Sequence, residues 1–143
     1  MSEVLDNIVI GDMENASSEL FFRAWGITRI LGCAVEHINH RYPSTAPSII
    51  IGLEDDEYPA AESQLMVAAG QLEQWINQGH RVFVHCKAGI SRSPAVVMAW
   101  LIRYKNYSFD DAWCTVVKAR QIARPNPHFI KILKGLEEVY PKK

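Results

Sequence analysis

The sequence predicts a single α/β domain, residues 1–143, with a central, mostly parallel sheet flanked by helices. Three observations predict it. Short apolar runs rich in β-branched residues recur at Asn7 to Ile10, Ile27 to Cys33, Ser48 to Leu53 and Arg81 to His85, as buried strands do. Stretches of helical period lie between and after them, and strands alternating with helices build a parallel sheet. At 143 residues, 48% hydrophobic and 22% charged, the chain has the length and composition of one globular domain with one core.

Taken in order, Asn7 to Ile10 closes on the turn pair Gly11-Asp12. Ala16 to Trp25 follows as one helix, with Gly26 as its C-cap. After the strand Ile27 to Cys33, Tyr42 to Pro47 is a turn-rich loop. The strand Ser48 to Leu53 runs into the acidic cluster Glu54-Asp55-Asp56-Glu57. Leu65, Ala68, Ala69, Leu72, Trp75 and Ile76 keep helical period from Ala60 to Gln78, and Gly79 ends that helix. Arg81 to His85 is the fourth strand, and the almost wholly apolar Ala95 to Ile102 suits a buried helix with Pro94 in its first turn. Ser108 and Asp111 have capping-box spacing ahead of the face Phe109, Ala112, Val116 and Val117. Asn126 and Pro127 suit the N-cap and first position of a last helix, with Phe129, Leu133 and Leu136 facing inward.

Composition narrows the partners. Fifteen Lys and Arg against 16 Asp and Glu leave a formal charge of −1, with no global basic field for nucleic acid or an acidic membrane. No apolar run approaches the roughly 20 residues of a membrane-spanning helix. The N-terminal residues do not read as a signal peptide, Ser2 stands where myristoylation needs glycine, and Tyr140-Pro141-Lys142-Lys143 is no prenylation box. Cysteines at 33, 86 and 114 are too scattered for structural zinc, and their odd, low count fits a reducing compartment, cytoplasmic or nuclear. Cys33 and Cys114 read as small buried hydrophobes.

Cys86 reads differently. It opens the loop Cys86-Lys87-Ala88-Gly89-Ile90-Ser91-Arg92, which joins a strand to a helix N-terminus. Such a loop turns several backbone N–H groups inward and binds anions, and the same donors favour a thiolate set at its floor. The planar fork of Arg92 matches two oxygens of a tetrahedral anion. A nucleotide-binding P-loop needs G-x-x-x-x-G-K-[ST], and neither Lys87 nor Gly89 is placed for it. A thiolate facing a bound phosphate is the equipment of a phosphate-ester hydrolase.

His85-Cys86, five residues, then Arg92-Ser93 resembles the signature of the cysteine-based protein tyrosine phosphatases, and the fuller run HCKAGISRSP is similar to their dual-specificity branch. Ile8-Val9-Ile10-Gly11-Asp12, and Gly26-Ile27-Thr28 leading to Cys33-Ala34, look like that branch's N-terminal strands. The resemblance implies the family's fold and hydrolysis of phosphotyrosine and phosphoserine/threonine in phosphoprotein substrates, through a cysteinyl-phosphate and without cofactor or metal. It assigns Cys86 as nucleophile, Arg92 and the amides of Lys87, Ala88, Gly89, Ile90 and Ser91 as phosphate binders, and His85 as a support that orders the loop. Ser93 would donate a hydrogen bond to the sulfur as it leaves. The family's general acid follows an Ile-x-x-x-Asp pattern some thirty residues before the cysteine. Ile51-Gly52-Leu53-Glu54-Asp55 matches it and points to Asp55, with Asp56 the alternative. Gly89 would supply close backbone approach or an unusual φ.

Substrate is less sharply marked. The chain has about the family's minimal catalytic length and resembles its small atypical members, with no evident extra loop to deepen the pocket for phosphotyrosine alone. Lys87-Ala88 echo the HCKAG of phosphoinositide phosphatases, but Ile90-Ser91 replaces the Lys-Gly that follows there. Family members often carry two adjacent basic residues before the last helix; here Gln121 follows Arg120, and Arg120 and Arg124 read as a solvated helix end, with guidance of an anion as the alternative. Two alternatives stand beside the protein phosphatase. One is a phosphatase of phosphoinositide, phosphoglucan or an RNA 5′ end; the other is a non-catalytic phosphate-binding module.

Overall fold

The computed structural model describes residues 1–5 and 7–141. Its sheet has the strands β1 (Ser2–Leu5), β2 (Ile8–Gly11), β3 (Arg29–Ala34), β4 (Ser48–Leu53) and β5 (Val82–His85), in the order β1-β2-β5-β3-β4. β1 is antiparallel to β2; every other pairing is parallel. The helices are α1 (Met13–Ala16), α2 (Glu19–Trp25), α3 (Ala61–Asn77), α4 (Arg92–Tyr104), α5 (Phe109–Ala119) and α6 (Pro127–Val139), with a 3₁₀ turn at Val35–His37.

The period of two along each strand sorts side chains onto two faces. Ile8, Ile10, Leu31, Cys33, Val82, Val84 and Cys86 enter the larger core, beneath α3 to α6. Val9, Ile30 and Phe83 point the other way, onto Phe21 and Phe22 of α2, where Phe83 meets Phe21 edge-on with ring centroids 4.7 Å apart. α4 lies at the centre of the larger layer, every residue from Arg92 to Ile102 buried. A helix apolar all round belongs in such a place.

Two differences from the sequence reading have local causes. The stretch Ala16 to Trp25 is not one helix: Ser17 closes α1, and Ser18 starts α2 by accepting a hydrogen bond from the Phe21 N–H at 3.1 Å. A serine hydroxyl that satisfies an orphan N–H favours a fresh start over continuation. Cys114 is exposed rather than buried, because the inward face of α5 runs through Phe109, Ala112 and Val116. The remaining caps are as expected. Gly26 closes α2 at φ +61°, Ser108 caps α5, and Asn126 caps α6 with Pro127 in its first turn.

The parallel strands decide where chemistry gathers. β2, β3, β4 and β5 all end on the same edge of the sheet, so the segments after Gly11, Ala34, Leu53 and His85 converge there. In open parallel sheets ligands bind at that edge.

Candidate active site

Cys86 follows the last residue of β5, the middle strand, and is 2% exposed. Its Sγ lies 3.2 Å from Ser93 Oγ, in the first turn of α4. A cleft of about 190 Å³ opens over it, lined by Asp55, Cys86, Lys87, Ala88, Ile90, Ser91 and Arg92.

The loop over Cys86 is held by its carbonyls. Met13 N–H, just past β2, donates to Lys87 O at 3.0 Å, and Arg124 N–H donates to Ile90 O at 2.6 Å. Arg120 spans the remaining two, Nη2 to Ala88 O at 3.3 Å and Nε to Gly89 O at 2.8 Å. In a planar trans peptide the C=O and the next N–H point in opposite directions. Four carbonyls bound on the outside therefore turn the N–H groups of Ala88, Gly89, Ile90 and Ser91 toward the inside. This is the nest of donors that the spacing predicts. Gly89 sits at φ +66°, and a Cβ there would stand 2.5 Å from Arg120 Nη2 and 2.8 Å from Gly11 O. Both the conformation and the close approach require glycine.

Arg92 is pinned from the far side. Glu36, after β3, takes Nη1 at 2.5 Å and Nη2 at 2.8 Å, and Leu53 O takes Nη1 at 3.2 Å. These bonds occupy both Nη1 protons and one of the two on Nη2. Nε–H and the second Nη2–H remain, side by side, for two oxygens of an anion. The guanidinium in turn holds the Glu36 carboxyl at about 2.

His85 points to the opposite face of the sheet from Cys86. It stacks on Phe83 at 5.3 Å between centroids and receives the Tyr42 hydroxyl at Nε2, 2.6 Å away. Burial pushes its pKa down to about 4, so the ring is neutral at physiological pH. Burial also raises the Tyr42 phenol, which stays protonated and donates. That leaves Nδ1–H directed at Cys86 O, 3.4 Å away. Gly32 of β3 makes room for the pair: a Cβ there would lie 2.7 Å from the Tyr42 oxygen.

Of the two candidate acids, Asp55 lines the cleft with Cys86. Its Oδ1 accepts a hydrogen bond from Asn126 Nδ2 at 2.9 Å. Asp56 turns back along the chain, accepting the Glu57 N–H at 2.8 Å. The sequence-derived residues thus come together as a group: Cys86, the loop Lys87 to Ser91, Arg92, Ser93 and Asp55, with His85 behind. Arg120 is the correction. It is 7% exposed and ties the loop, so it is no solvated helix end, whereas Arg124 is exposed and contributes its backbone. Sequence reasoning also missed Glu36 and Tyr42. A carboxylate just after a parallel strand was the available signal for Glu36, since every such strand delivers its next residues to this edge. Burial pushes the Cys33 thiol pKa well up. Among the described residues no cluster of His, Cys, Asp and Glu could hold a metal ion, and no helix is long and apolar enough to cross a membrane.

A strand–loop–helix anion cradle with a thiol at its base, on a mostly parallel five-stranded sheet, defines a cysteine-dependent phosphatase fold. Residues 8–139 match the family model "Dual specificity phosphatase, catalytic domain", and the chain belongs to that family. It is 33% identical over 136 residues to 123R of Invertebrate iridescent virus 6, named as a candidate tyrosine phosphatase, covering 95% of this chain and 91% of that protein. It is 31% identical over 140 residues to human dual specificity protein phosphatase 2, covering 94% of this chain but 43% of that one. The crystal structure of human DUSP28 superposes with a TM-score of 0.86 at 26% identity, covering 97% of this chain and 96% of that one. The chain is a protein phosphatase, a phosphoric monoester hydrolase of the tyrosine and dual-specificity type.

Proposed function

We propose that residues 1–143 act as one catalytic domain that removes phosphate from tyrosine and from serine or threonine of phosphoproteins, in the cytoplasm or nucleus. The phosphate lies on the amides of Lys87 to Ser91, with two of its oxygens on the free edge of the Arg92 fork. The Cys86 thiolate attacks phosphorus in line, the ester P–O bond breaks, and the proton of Asp55 goes to the departing oxygen. In the resulting cysteinyl-phosphate, a water attacks phosphorus and gives its proton to Asp55. The S–P bond then breaks, and Ser93 Oγ donates to the thiolate that leaves. His85 orders the loop and transfers no proton. Arg92 and the loop amides offset the phosphate charge, so the mechanism calls for no metal or cofactor. Three free cysteines fit a reducing compartment.

One observation carries this reading: Asp55 and Cys86 line the same small cleft, beneath a loop whose carbonyls are all bound outside it. The direct test is Cys86→Ser. It should abolish turnover of an aryl phosphate while tungstate or inorganic phosphate still binds; retained turnover would refute the covalent mechanism. A panel of phosphopeptides, phosphoinositides, phosphoglucan and 5′-phosphorylated RNA decides the substrate, and preference for any but the peptides would overturn that part.

A further inference from the structure

Asn126 begins as a helix cap and ends as something more. Its Oδ1 accepts the Phe129 N–H at 2.9 Å, closing the first turn of α6. Its backbone N–H donates to Ser91 Oγ at 2.9 Å, which ties it to the phosphate loop. With Oδ1 and the backbone both committed, the side-chain amide has one orientation, and Nδ2 is the atom that faces Asp55. Nδ2 donates to Asp55 Oδ1 at 2.9 Å. Asp55 is otherwise an exposed side chain on a loop of exposed acids, Glu54 to Glu57. Free carboxyls in that setting rotate and carry a proton on either oxygen.

We infer that Asn126 is the positioning residue for the general acid, and that it selects which oxygen of Asp55 carries the proton. An oxygen that accepts an N–H is the carbonyl oxygen of a neutral carboxyl, so the transferable proton rests on Oδ2. After that proton passes to the leaving oxygen, Oδ1 keeps its donor and the carboxylate stays aimed for the returning proton from water. Because the same residue grips Ser91, acid and nucleophile loop share one bracket, and the distance between them does not depend on the flexible acidic loop alone. The inference rests on the assignment of Asp55 as the acid.

Two substitutions separate this role from capping. Asn126→Ser keeps an N-cap oxygen, since serine is an equally good cap, but is too short to reach Asp55. Asn126→Asp keeps the cap and places a second carboxylate oxygen against Asp55 Oδ1, where like charges hold a proton between them. Both are compared with Asp55→Asn by measuring kcat/KM against pH with p-nitrophenyl phosphate and with phenyl phosphate, a poorer leaving group. General acid catalysis contributes about 10²–10⁴-fold in rate. Asn126→Ser should therefore lose about tenfold or more on phenyl phosphate and no more than about threefold on p-nitrophenyl phosphate, with little change in thermal midpoint. Asn126→Asp should move the alkaline limb of the profile up by about one pH unit. If Asp55→Asn shows the leaving-group effect and both Asn126 variants keep the parental profile and selectivity, the positioning role is overturned while the acid stands. If Asp55→Asn itself shows no leaving-group effect, the acid assignment falls and takes this inference with it. Should Asn126→Asp fail to fold, the leaving-group ratio of Asn126→Ser decides alone.

Discussion

Replacing Arg120 by methionine, similar in length but without donors, removes the two bonds that turn Ala88 O and Gly89 O away from the cleft. Hydrogen bonds from a charged donor contribute about 1.5–3 kcal/mol each. The 2.8 Å bond to Gly89 O is well formed and belongs near 2 kcal/mol, whereas the 3.3 Å bond to Ala88 O is weak and adds about 1. Roughly 3 kcal/mol thus favours the inward set of amides, or about a hundredfold in anion affinity if a flipped loop competes when it is lost. Global stability should fall by less. Burial pulls the Arg120 pKa down from its usual value, the mark of a cation kept from water, and its removal relieves that desolvation. The assay is competitive inhibition by inorganic phosphate or tungstate, read beside the thermal midpoint and kcat/KM on an aryl phosphate. Arg120→Lys, with a point charge in place of the fork, should recover part of the affinity. Parental phosphate affinity in a folded Arg120→Met would refute the argument that the outward carbonyl bonds shape the site.

Gly89→Ala should nearly abolish activity with a modest change in melting. A Cβ at φ +66° adds about 1–2 kcal/mol of backbone strain and drives against Gly11 O and the Arg120 fork; substantial kcat/KM in the variant would contradict this. His85 sets a pH dependence of stability. Its pKa is about 4 when folded, against an ordinary histidine value of 6.5, so between those values the unfolded chain binds the extra proton and stability falls as pH falls. The loss totals about 3 kcal/mol by pH 4, from 1.36 kcal/mol per pK unit. Urea midpoints at pH 7 and pH 4.5 should diverge in the parent and differ by less in His85→Gln, where His37, also held below its ordinary pKa by burial, leaves a smaller difference of the same sign. Glu36 acts in a lower window, its stabilisation lost only as pH drops from 4.5 toward about 2.

Much of this architecture was legible because it is written locally. Ser48–Leu53 appears with the expected bounds, since three isoleucines between turn residues on one side and acids on the other admit little else. Asn126-Pro127 marked the start of α6 by chemistry confined to two residues. The cradle was legible for the same reason: thiol, loop and arginine lie within seven consecutive positions, Cys86 to Arg92. What escaped lies across the fold. Arg120 is 31 residues from Gly89 and Glu36 is 56 from Arg92, and no periodicity links such pairs. β1 escaped because Ser2 to Leu5 is four residues with one buried side chain, too brief for alternation to register. The break between α1 and α2 escaped because apolar period continues across Ser17-Ser18, while the Ser18 hydroxyl, not the period, decides where the helix restarts.

The four outward carbonyls of the phosphate loop carry a further consequence. Their donors come from Met13, Arg120 and Arg124, on segments before β3 and after α5. The loop thus borrows its shape from both ends of the chain, and the signature peptide excised from its fold would lose the donors that shape it. Turnover becomes a gauge of folding. A substitution that loosens α2's layer or the α5–α6 connection should silence the enzyme before it melts, and partial unfolding at either end should erase activity while most of the sheet still stands.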